Sequence, residues 1–330
     1  MKKHQILRAA ASLLLAAQAI HLMHAPGAMA QAWPDKPVRV VVPFLAGGSI
    51  DLVIRLMNEK LAARLGRPVI VENKAGAGGM VGAGEVAKSA PDGYTLLFSA
   101  QGPLAISPLL VKQPPYDPQA AFAPVSLVAI MPNVLLVHPS LPIRNGAEFV
   151  AHAKANPGKL TYGSQGIGTT GHLTGAMVNQ LAGVDLVHVP YKGFPPLFAD
   201  VKTGRVNMMF VDSINALPRV RSKELVPIAV ASEKRSFALP ELPTFAEIGY
   251  PGVISEAWFA MFAPAGTPAE IRHRLADEIR EVLKDAAVSD RLKDLGVEIR
   301  GTTPEAHGEA LRKEQERWVQ VIRGAGLKPE

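Results

Sequence analysis

The segment formed by residues 38–51 constrains the fold more than any other part of this sequence. It begins with VRVVV, a β-branched run that is typical of a buried strand in a parallel sheet. Pro43 ends the strand, because proline cannot donate a hydrogen bond to a neighbouring strand. Gly47 and Gly48 permit a tight turn, and Ser49 is expected to cap the helix that follows. The segment therefore predicts a strand–turn–helix unit of an α/β protein.

The turn in this segment has the features of a small anion site. A helix N-terminus presents unpaired N–H groups and about half a positive charge. No lysine or arginine lies between Phe44 and Asp51, so backbone amides would hold an anion there. Asp51 is expected to accept hydrogen bonds from the turn, since a carboxylate facing the anion would repel it. The alternative is an ordinary strand-to-helix turn, which is common in α/β folds.

Length and composition narrow the class of protein. A chain of 330 residues is long enough for two domains, and 48% hydrophobic with 19% charged residues indicates well-buried cores. The absence of cysteine excludes disulfides, a thiol nucleophile and thiolate metal ligands. Basic residues do not cluster with aromatic ones, so no nucleic-acid partner is expected.

Residues 1–30 are predicted to be a cleavable signal peptide, so the mature chain is expected to be secreted. Lys2, Lys3 and Arg8 precede an apolar run that is too short to span a membrane. Ala28 and Ala30 fit a cleavage site of small residues. A second uncharged run, residues 118–143 apart from His138, is broken by four prolines. We interpret it as two buried strands, residues 125–130 and 134–137, that lead out of the first of two structural units, which we call the first lobe.

The second half of the chain repeats the strand–turn–helix device. A short strand at residues 159–163 leads into SQGIGTTGH, a glycine- and hydroxyl-rich turn that opens a helix at His172. The turn adds the hydroxyls of Ser164, Thr169 and Thr170 to its backbone amides. Residues 255–263 are expected to cross back to the first lobe. A capping box at residues 267–270 and a last helix from Thr303 are expected to begin helices that pack on that lobe.

Other chemistries find less support in the sequence. The glycine-dense segment 74–84 fails as a dinucleotide fingerprint, because Val81 stands where a third glycine is required, so we interpret it as a close-packed turn. Ser164 lacks the spacing of a nucleophile elbow, and His172 and His188 have no evident acidic partner in sequence. Histidine spacings do not match zinc sites. We therefore predict no catalytic residue, no metal and no cofactor.

Nine segments carry a resemblance to a known family. In chain order they read VVPFLAGGSID, ENKAGAGG, APDGYTLL, YDP, FAPVSLVA, LTYGSQGIGTTGHL, VHVPYKG, ALPELPT and APAGTP. Together they resemble the Bug-type periplasmic solute-binding proteins of tripartite tricarboxylate transporters, over nearly the whole mature chain.

The resemblance implies an α/β fold of the two-lobe periplasmic-binding-protein type (type II, Venus-flytrap), with a mostly parallel sheet in each lobe and two crossing strands. It assigns residues 31–131 and 254–330 to lobe 1 and residues 132–253 to lobe 2. It implies a monomer that captures a small carboxylate without catalysis and delivers it to integral membrane permease subunits. The ligand-binding residues implied by motif position or by the turns above are Phe44, Ala46, Gly47, Gly48, Ser49, Gln101, Ser164, Gly168, Thr169, Thr170, His172, Tyr191 and Asp212.

Two departures from the family pattern bear on the ligand. Leu45 stands where the family usually has proline, and Phe194-Pro195-Pro196 replaces small residues. Both are expected to make the mouth of the cleft bulkier and more apolar, which favours an aromatic or apolar carboxylate over citrate-like or amino-acid ligands; a dicarboxylate stays open. A secreted hydrolase or lyase using the same cleft, and a sensor subunit that presents its ligand to a receptor, remain alternatives.

Overall fold

The computed structural model describes residues 33–324, of which residues 36–324 belong to one compact unit. The predicted signal peptide, residues 1–30, lies outside the described residues. Within the described range, no helix combines the length and apolarity needed to cross a membrane.

The first part of the chain builds the predicted strand–turn–helix unit and extends it. Its elements are β1 (Val38–Val42), α1 (Ser49–Leu65), β2 (Val69–Asn73), α2 (Met80–Ala87) and β3 (Thr95–Ala100). Strand β1 pairs in parallel with β2 and β3. Gly66 ends α1 in the left-handed conformation (φ 69°), which glycine adopts without steric cost. Because β1 and β3 are parallel, their carboxyl ends lie at the same edge of the sheet.

A single long strand replaces the two that the sequence predicted at residues 125–130 and 134–137. Strand β4 (Phe122–Val137) pairs antiparallel with β9 (Glu256–Pro264), as expected for a segment crossing back, and then with β7 (Met208–Asp212) and β8 (Val226–Val230). Pro132 pairs with Glu256, and the next residue, Asn133, pairs with Asp212. Because proline lacks only the N–H group, the strand continues through Pro132 at the point where it changes partner.

The second part of the chain forms a second sheet around the far end of β4. Its further elements are α3 (Gly146–Ala155), β5 (Leu160–Ser164), α4 (Thr170–Ala182), β6 (Leu186–Pro190), α5 (Phe194–Lys202) and α6 (Ser213–Arg221). Strand β5 pairs in parallel with β6 and β7. The order across both sheets is β2-β1-β3-β9-β4-β7-β5-β6. Each sheet thus turns the carboxyl ends of its parallel strands toward the turns that precede α1 and α4.

The last elements are α7 (Ala269–Lys284), α8 (Ala286–Asp294), β10 (Glu298–Ile299) and α9 (Pro304–Gly324). The capping box predicted at residues 267–270 is wrong: Pro268 is the N-cap of α7, and the Thr267 hydroxyl donates to the Pro264 carbonyl instead. Helix α9 does not pack on the first part of the chain alone. Its Trp318 and Ile322 share a buried cluster with Leu173 and Met177 of α4, because its apolar stripe is long enough to reach both.

Candidate functional site

A small cavity of about 30 Å³ lies where the carboxyl ends of the parallel strands meet. It is lined by Phe44, Ser49, Ile50, Ala100, Gln101, Gly102, Gln165, Thr169, Thr170, Asp212, Ala257 and Phe259. These residues come from the turns after β1, β3 and β5, from the end of β7 and from the crossing strand β9. We call it the central cavity.

Helix α1 starts at the central cavity, but Ser49 does not cap it. Gly48 is the N-cap, with the extended backbone that this position requires (φ −85°, ψ 170°), and Ser49 already belongs to the helix. The Ser49 hydroxyl donates instead to Asp212 Oδ2 over 2.7 Å. Within the described part of the chain no side chain caps α1, so its first-turn N–H groups keep their hydrogen-bonding capacity beside the cavity.

Asp51 turns away from the cavity, as predicted. Its carboxylate accepts hydrogen bonds from the Gly47 amide at 3.0 Å, from Arg55 Nε at 2.9 Å and from Asn73 Nδ2 at 3.0 Å. Burial by itself would raise the pKa of Asp51, but the hydrogen bonds from Arg55, Gly47 and Asn73 outweigh it and lower the pKa below the ordinary value. The Asp51 carboxylate therefore stabilises the turn between β1 and α1.

Helix α4 faces the cavity with a second N-terminus of the same kind. Thr169 is its N-cap with extended backbone (φ −89°, ψ 162°), and its side chain does not cap the helix. The Thr169 hydroxyl donates to the Gly166 carbonyl over 2.8 Å, which closes the turn. Two uncapped helix N-termini from different parts of the chain thus open on one small cavity, and both favour a negative charge.

Ser164, His172 and His188 lie behind the second turn. Ser164 Oγ is 2.7 Å from His188 Nε2 and 3.0 Å from the Gly166 carbonyl, while the Gly168 amide donates to His172 Nδ1 over 3.3 Å. The two imidazoles stack with ring centroids 4.2 Å apart. Burial lowers the pKa of His172 to about 4, and burial with the neighbouring His172 lowers the pKa of His188 to about 3.

This arrangement does not resemble a nucleophile with its base. The Ser164 side chain is fully buried, and among residues 33–324 no hydrogen bond or ion pair links His188 to a carboxylate that would orient it. The Gly166 carbonyl can only accept, so it competes with His188 for the Ser164 proton. The three side chains hold the second turn in place from behind.

Asp212 connects the two sheets. It is the N-cap of α6 and accepts hydrogen bonds from the Asn215 amide at 3.0 Å, from Asn215 Nδ2 at 3.2 Å and from Ser49. Burial raises the pKa of Asp212 above its ordinary value, although the hydrogen bonds from Ser49 and Asn215 oppose the shift. Its bond to Ser49 joins residues that are 163 positions apart.

Gln101 and Tyr191 already have partners. The Gln101 amide accepts from the Trp258 N–H at 3.1 Å and donates to the Glu256 carbonyl at 2.6 Å, which fastens the end of β3 to β9. The Tyr191 hydroxyl donates to Asp200 Oδ2 over 2.7 Å, and burial followed by this carboxylate raises the pKa of Tyr191 to about 12.

A larger cavity of about 360 Å³ lies next to the central one, and Phe44 and Gln165 line both. Its other walls include Tyr191, Lys192, Ser107 and the glycine-dense segment 76–80. A Cβ built on Gly82 would lie 2.8 Å from the Lys74 carbonyl oxygen and 3.0 Å from Pro43 Cα, so the close-packed turn predicted for this segment is confirmed. We call this larger space the outer cleft.

The predicted site residues divide into three groups. Those that line the central cavity are Phe44, Ser49, Gln101, Thr169, Thr170 and Asp212, and Tyr191 joins Phe44 in the outer cleft. Those that line neither space are Ala46, Gly47, Gly48, Ser164, Gly168 and His172. The sequence prediction did not include Gln165, which lies inside the predicted second turn. The hydroxyl residues of that turn were the more obvious hydrogen-bond donors. The sequence prediction also missed Phe259, whose place on a crossing strand carries no local signal.

The prediction that Phe194 makes the mouth of the cleft bulkier is wrong. Phe194 is buried in the core of the second sheet, where its ring stacks on Phe198 and the Arg219 guanidinium lies 4.9 Å from the ring centroid. It is the first residue of α5, and its side chain points into the core beneath that helix. Leu45 does remain half-exposed, next to Gly193.

No group of three potential metal ligands comes together within the described part of the chain.

Comparisons with known proteins agree on one family. The family model described as tripartite tricarboxylate transporter family receptor (TctC) matches residues 53–327. A protein in the tcbD-tcbE intergenic region of Pseudomonas sp. (strain P51) is 37% identical over 292 residues, which cover 88% of this chain and 87% of that protein. Protein BugT of Bordetella pertussis is 36% identical over 300 residues, covering 91% and 92%.

Solved structures give the same result. The structure of Rpa4515 from R. palustris with adipate has a TM-score of 0.87 and 35% identity, covering 90% of this chain and 100% of that one. MatC (Rpa3494) from Rhodopseudomonas palustris with bound malate has a TM-score of 0.84 and 33% identity, covering 88% and 100%. The fold is therefore the two-lobe α/β architecture of type II periplasmic binding proteins, with β4 and β9 as its crossing strands.

Proposed function

This chain belongs to the tripartite tricarboxylate transporter family of receptors, and we propose that it captures a small dicarboxylate between its lobes and delivers it to the membrane subunits of such a transporter. The proposal includes export to the periplasm by the signal peptide at residues 1–30, action as a monomer, and lobes formed by residues 31–131 with 254–330 and by residues 132–253. Binding proceeds without catalysis.

One observation carries this proposal: two helices from different lobes begin at the same cavity, and neither N-terminus is capped by a side chain. Each offers the unpaired N–H groups of its first turn together with the positive end of its dipole. Ser49, Thr169 and Thr170 add hydroxyl donors at the cavity wall. Neutral donors lose less hydration energy on burial than arginine would, so they suit a ligand that must also be released.

The size of the central cavity defines how the ligand enters. A volume of about 30 Å³ holds about one water molecule, which is far less than a four- to six-carbon dicarboxylate needs. Entry therefore requires the lobes to separate, with the Ser49–Asp212 hydrogen bond breaking and β4 and β9 acting as the hinge. Once one carboxylate is held at α1, the chain of the ligand extends past Phe44 and Gln165 into the outer cleft.

Three considerations favour an aliphatic dicarboxylate over an aromatic monocarboxylate. Related proteins have been crystallised with adipate and with malate, both of which carry a carboxylate at each end. The burial of Phe194 weakens one of the two reasons to expect an aromatic ligand, because only Pro195 and Pro196 of that segment are exposed; Leu45 is the other reason. The two helix N-termini also suit a ligand with two negative ends.

Titration calorimetry on the mature chain tests the proposal. Malate and adipate are expected to bind one to one and more tightly than benzoate or citrate, with no product formed on prolonged incubation. Gly48→Asp should weaken binding at least about a hundredfold, because the new carboxylate both repels the ligand and caps the N–H groups of α1. Gly48→Ala is the matched control, since φ of −85° accepts alanine and no atom lies closer than 3.7 Å.

Unchanged affinity in Gly48→Asp would contradict the site. Tighter binding of citrate than of the dicarboxylates would contradict the ligand class, and turnover of any of these acids would favour a hydrolase or lyase. A role in sensing shares this pocket and differs only in the membrane partner, which co-purification with the permease subunits distinguishes.

A further inference from the structure

A third cavity, of about 310 Å³, shares no lining residue with the central cavity or the outer cleft. Its walls come from both crossing strands and from α9, which places it at the hinge rather than between the two turns. We call it the hinge cavity. Leu127, Trp258 and Leu311 form much of its apolar wall, and its volume is that of a small-molecule site.

The hinge cavity carries excess negative charge. Glu233, Glu256 and Glu314 line it together with one cation, Arg317. Glu314 is already satisfied, because it pairs with Arg317 and accepts the indole N–H of Trp318 over 2.7 Å. Among residues 33–324, neither the Glu233 nor the Glu256 carboxylate has a hydrogen bond or an ion pair.

Glu256 is the more constrained of these two carboxylates. It is half-buried at the start of β9, and burial raises its pKa, with Glu298 and Glu233 adding to the shift. Arg300 and Arg317 face the same region and oppose the shift, but each has its own acidic partner. The Glu256 carboxylate thus has no ion pair of its own among the described residues. A bound cation in contact with it would compensate its negative charge.

A second and independent feature of the hinge cavity is His307. Its side chain is 1% exposed, it lines the cavity, and neither ring nitrogen has a hydrogen-bond partner in the described part of the chain. The ring lies edge-on to Trp258, with centroids 6.0 Å apart. Burial lowers the pKa of His307 to about 3, so at neutral pH the imidazole is uncharged, and one of its two buried nitrogens is an acceptor that receives no hydrogen bond from the described residues. Buried polar atoms usually have a partner, so this one calls for a donor.

We propose that the hinge cavity binds a small organic ammonium ion with an apolar or aromatic body. An ammonium group brings three N–H donors and no acceptor, which matches the carboxylates of Glu233 and Glu256 and the acceptor nitrogen of His307. The indole of Trp258 attracts a cation over its face, and the leucine wall takes the apolar body. An anion would be repelled by the glutamates, and a neutral hydrocarbon would leave the acceptors without donors. This inference is independent of the proposed dicarboxylate site.

Benzylammonium is the probe, titrated into the full mature chain at pH 7 and followed by calorimetry. We expect saturable one-to-one binding, and at least about tenfold weaker binding of benzyl alcohol, which has the same ring without the charge. Glu256→Gln should weaken benzylammonium binding by at least about tenfold while preserving the fold, since it keeps the shape and removes an unpaired charge. Glu316→Gln is the control, because Glu316 is exposed on the same helix as His307 and pairs with Arg312.

The proposal is overturned if benzylammonium shows no saturable binding, if benzyl alcohol binds as tightly, or if Glu256→Gln binds as the unmodified chain does. An equal loss in Glu316→Gln and Glu256→Gln would also overturn it, since that result would indicate general surface attraction. Dicarboxylate titrations of the same variants keep the two sites separate, because neither substituted residue lines the central cavity or the outer cleft.

Discussion

Gly168 is the position at which lobe closure can be tested most directly. Its φ is +77°, and a Cβ built on it would lie 2.8 Å from the Cα and 2.9 Å from the Cβ of Ser107, and closer still to the Ser107 hydroxyl. Gly168 follows β5 of the second sheet, whereas Ser107 follows β3 of the first. Gly168→Ala therefore places a methyl group in the contact between these two segments, which the proposed closure of the lobes would form.

The size of the effect follows from two separate contributions. The left-handed backbone costs an alanine about 1 kcal/mol wherever it occurs. Overpacking against the Ser107 backbone adds about 1–3 kcal/mol, and it does so only in the closed form. We therefore expect the affinity for malate or adipate to fall about 5- to 150-fold, while the free energy of unfolding of the open form falls by about 1 kcal/mol.

Gly183→Ala is the matched control for this experiment. Gly183 has a φ of +62° and ends α4, and a Cβ built on it would meet no atom within 4 Å beyond its neighbours in the chain. It carries the backbone cost without the contact, so its affinity should match that of the unmodified chain. Calorimetry gives the affinities and urea unfolding gives the stabilities. The reasoning is refuted if Gly168→Ala binds normally, or if both variants lose affinity to the same extent.

Two further predictions concern stability. Because burial lowers the pKa of His172 from 6.5 to about 4, the unfolded chain binds a proton at this residue more readily than the folded chain does, so His172 alone should contribute about 3 kcal/mol to the fall in the free energy of unfolding as the pH drops from about 6.5 to about 4; His188 and His307 add their own contributions. Urea unfolding across this range should show a shallower fall in His172→Asn, and an identical pH dependence would contradict the assignment. Phe149→Ala should cost about 3–5 kcal/mol, because Phe149 is fully buried in the core beneath the second sheet. Phe237→Ala, at a residue 59% exposed, should change stability by less than about 0.5 kcal/mol, and equal losses in the two variants would argue against this core.

Most of the local structure could be read from the sequence. VRVVV forms β1, the glycines after it form the turn, and the amide of Gly47 binds the carboxylate of Asp51 as predicted. Gly66 and Gly183 end α1 and α4 in the left-handed conformation, and α9 begins at Pro304, next to the predicted Thr303. These features depend on groups within a few positions of one another, so periodicity, proline and glycine are sufficient to locate them.

Segments whose structure depends on distant partners were predicted less well. The sequence gives no helix at residues 102–110, where the chain forms a π-helical turn followed by a 3₁₀ turn, and α6 and α8 were also missed. Pro132 looked like a strand breaker, but β4 continues because β9 lies on one side of that point and β7 on the other. A proline in the sequence indicates only that one backbone N–H donor is missing. Whether the strand ends there depends on the strands that pair with it on either side.

The sequence by itself therefore determined the two strand–turn–helix corners and the glycines that shape them, because each corner is made by residues adjacent in the chain. Only the tertiary structure decided that Ser49 donates to Asp212 rather than capping α1, that Phe194 lies in the core, and that the buried ring nitrogens of His307 have no hydrogen-bond partner among residues 33–324. Each of these outcomes depends on which distant side chain or backbone fills the neighbouring space. These contacts join residues that are far apart in the chain, so they cannot be predicted from the sequence around any one of them.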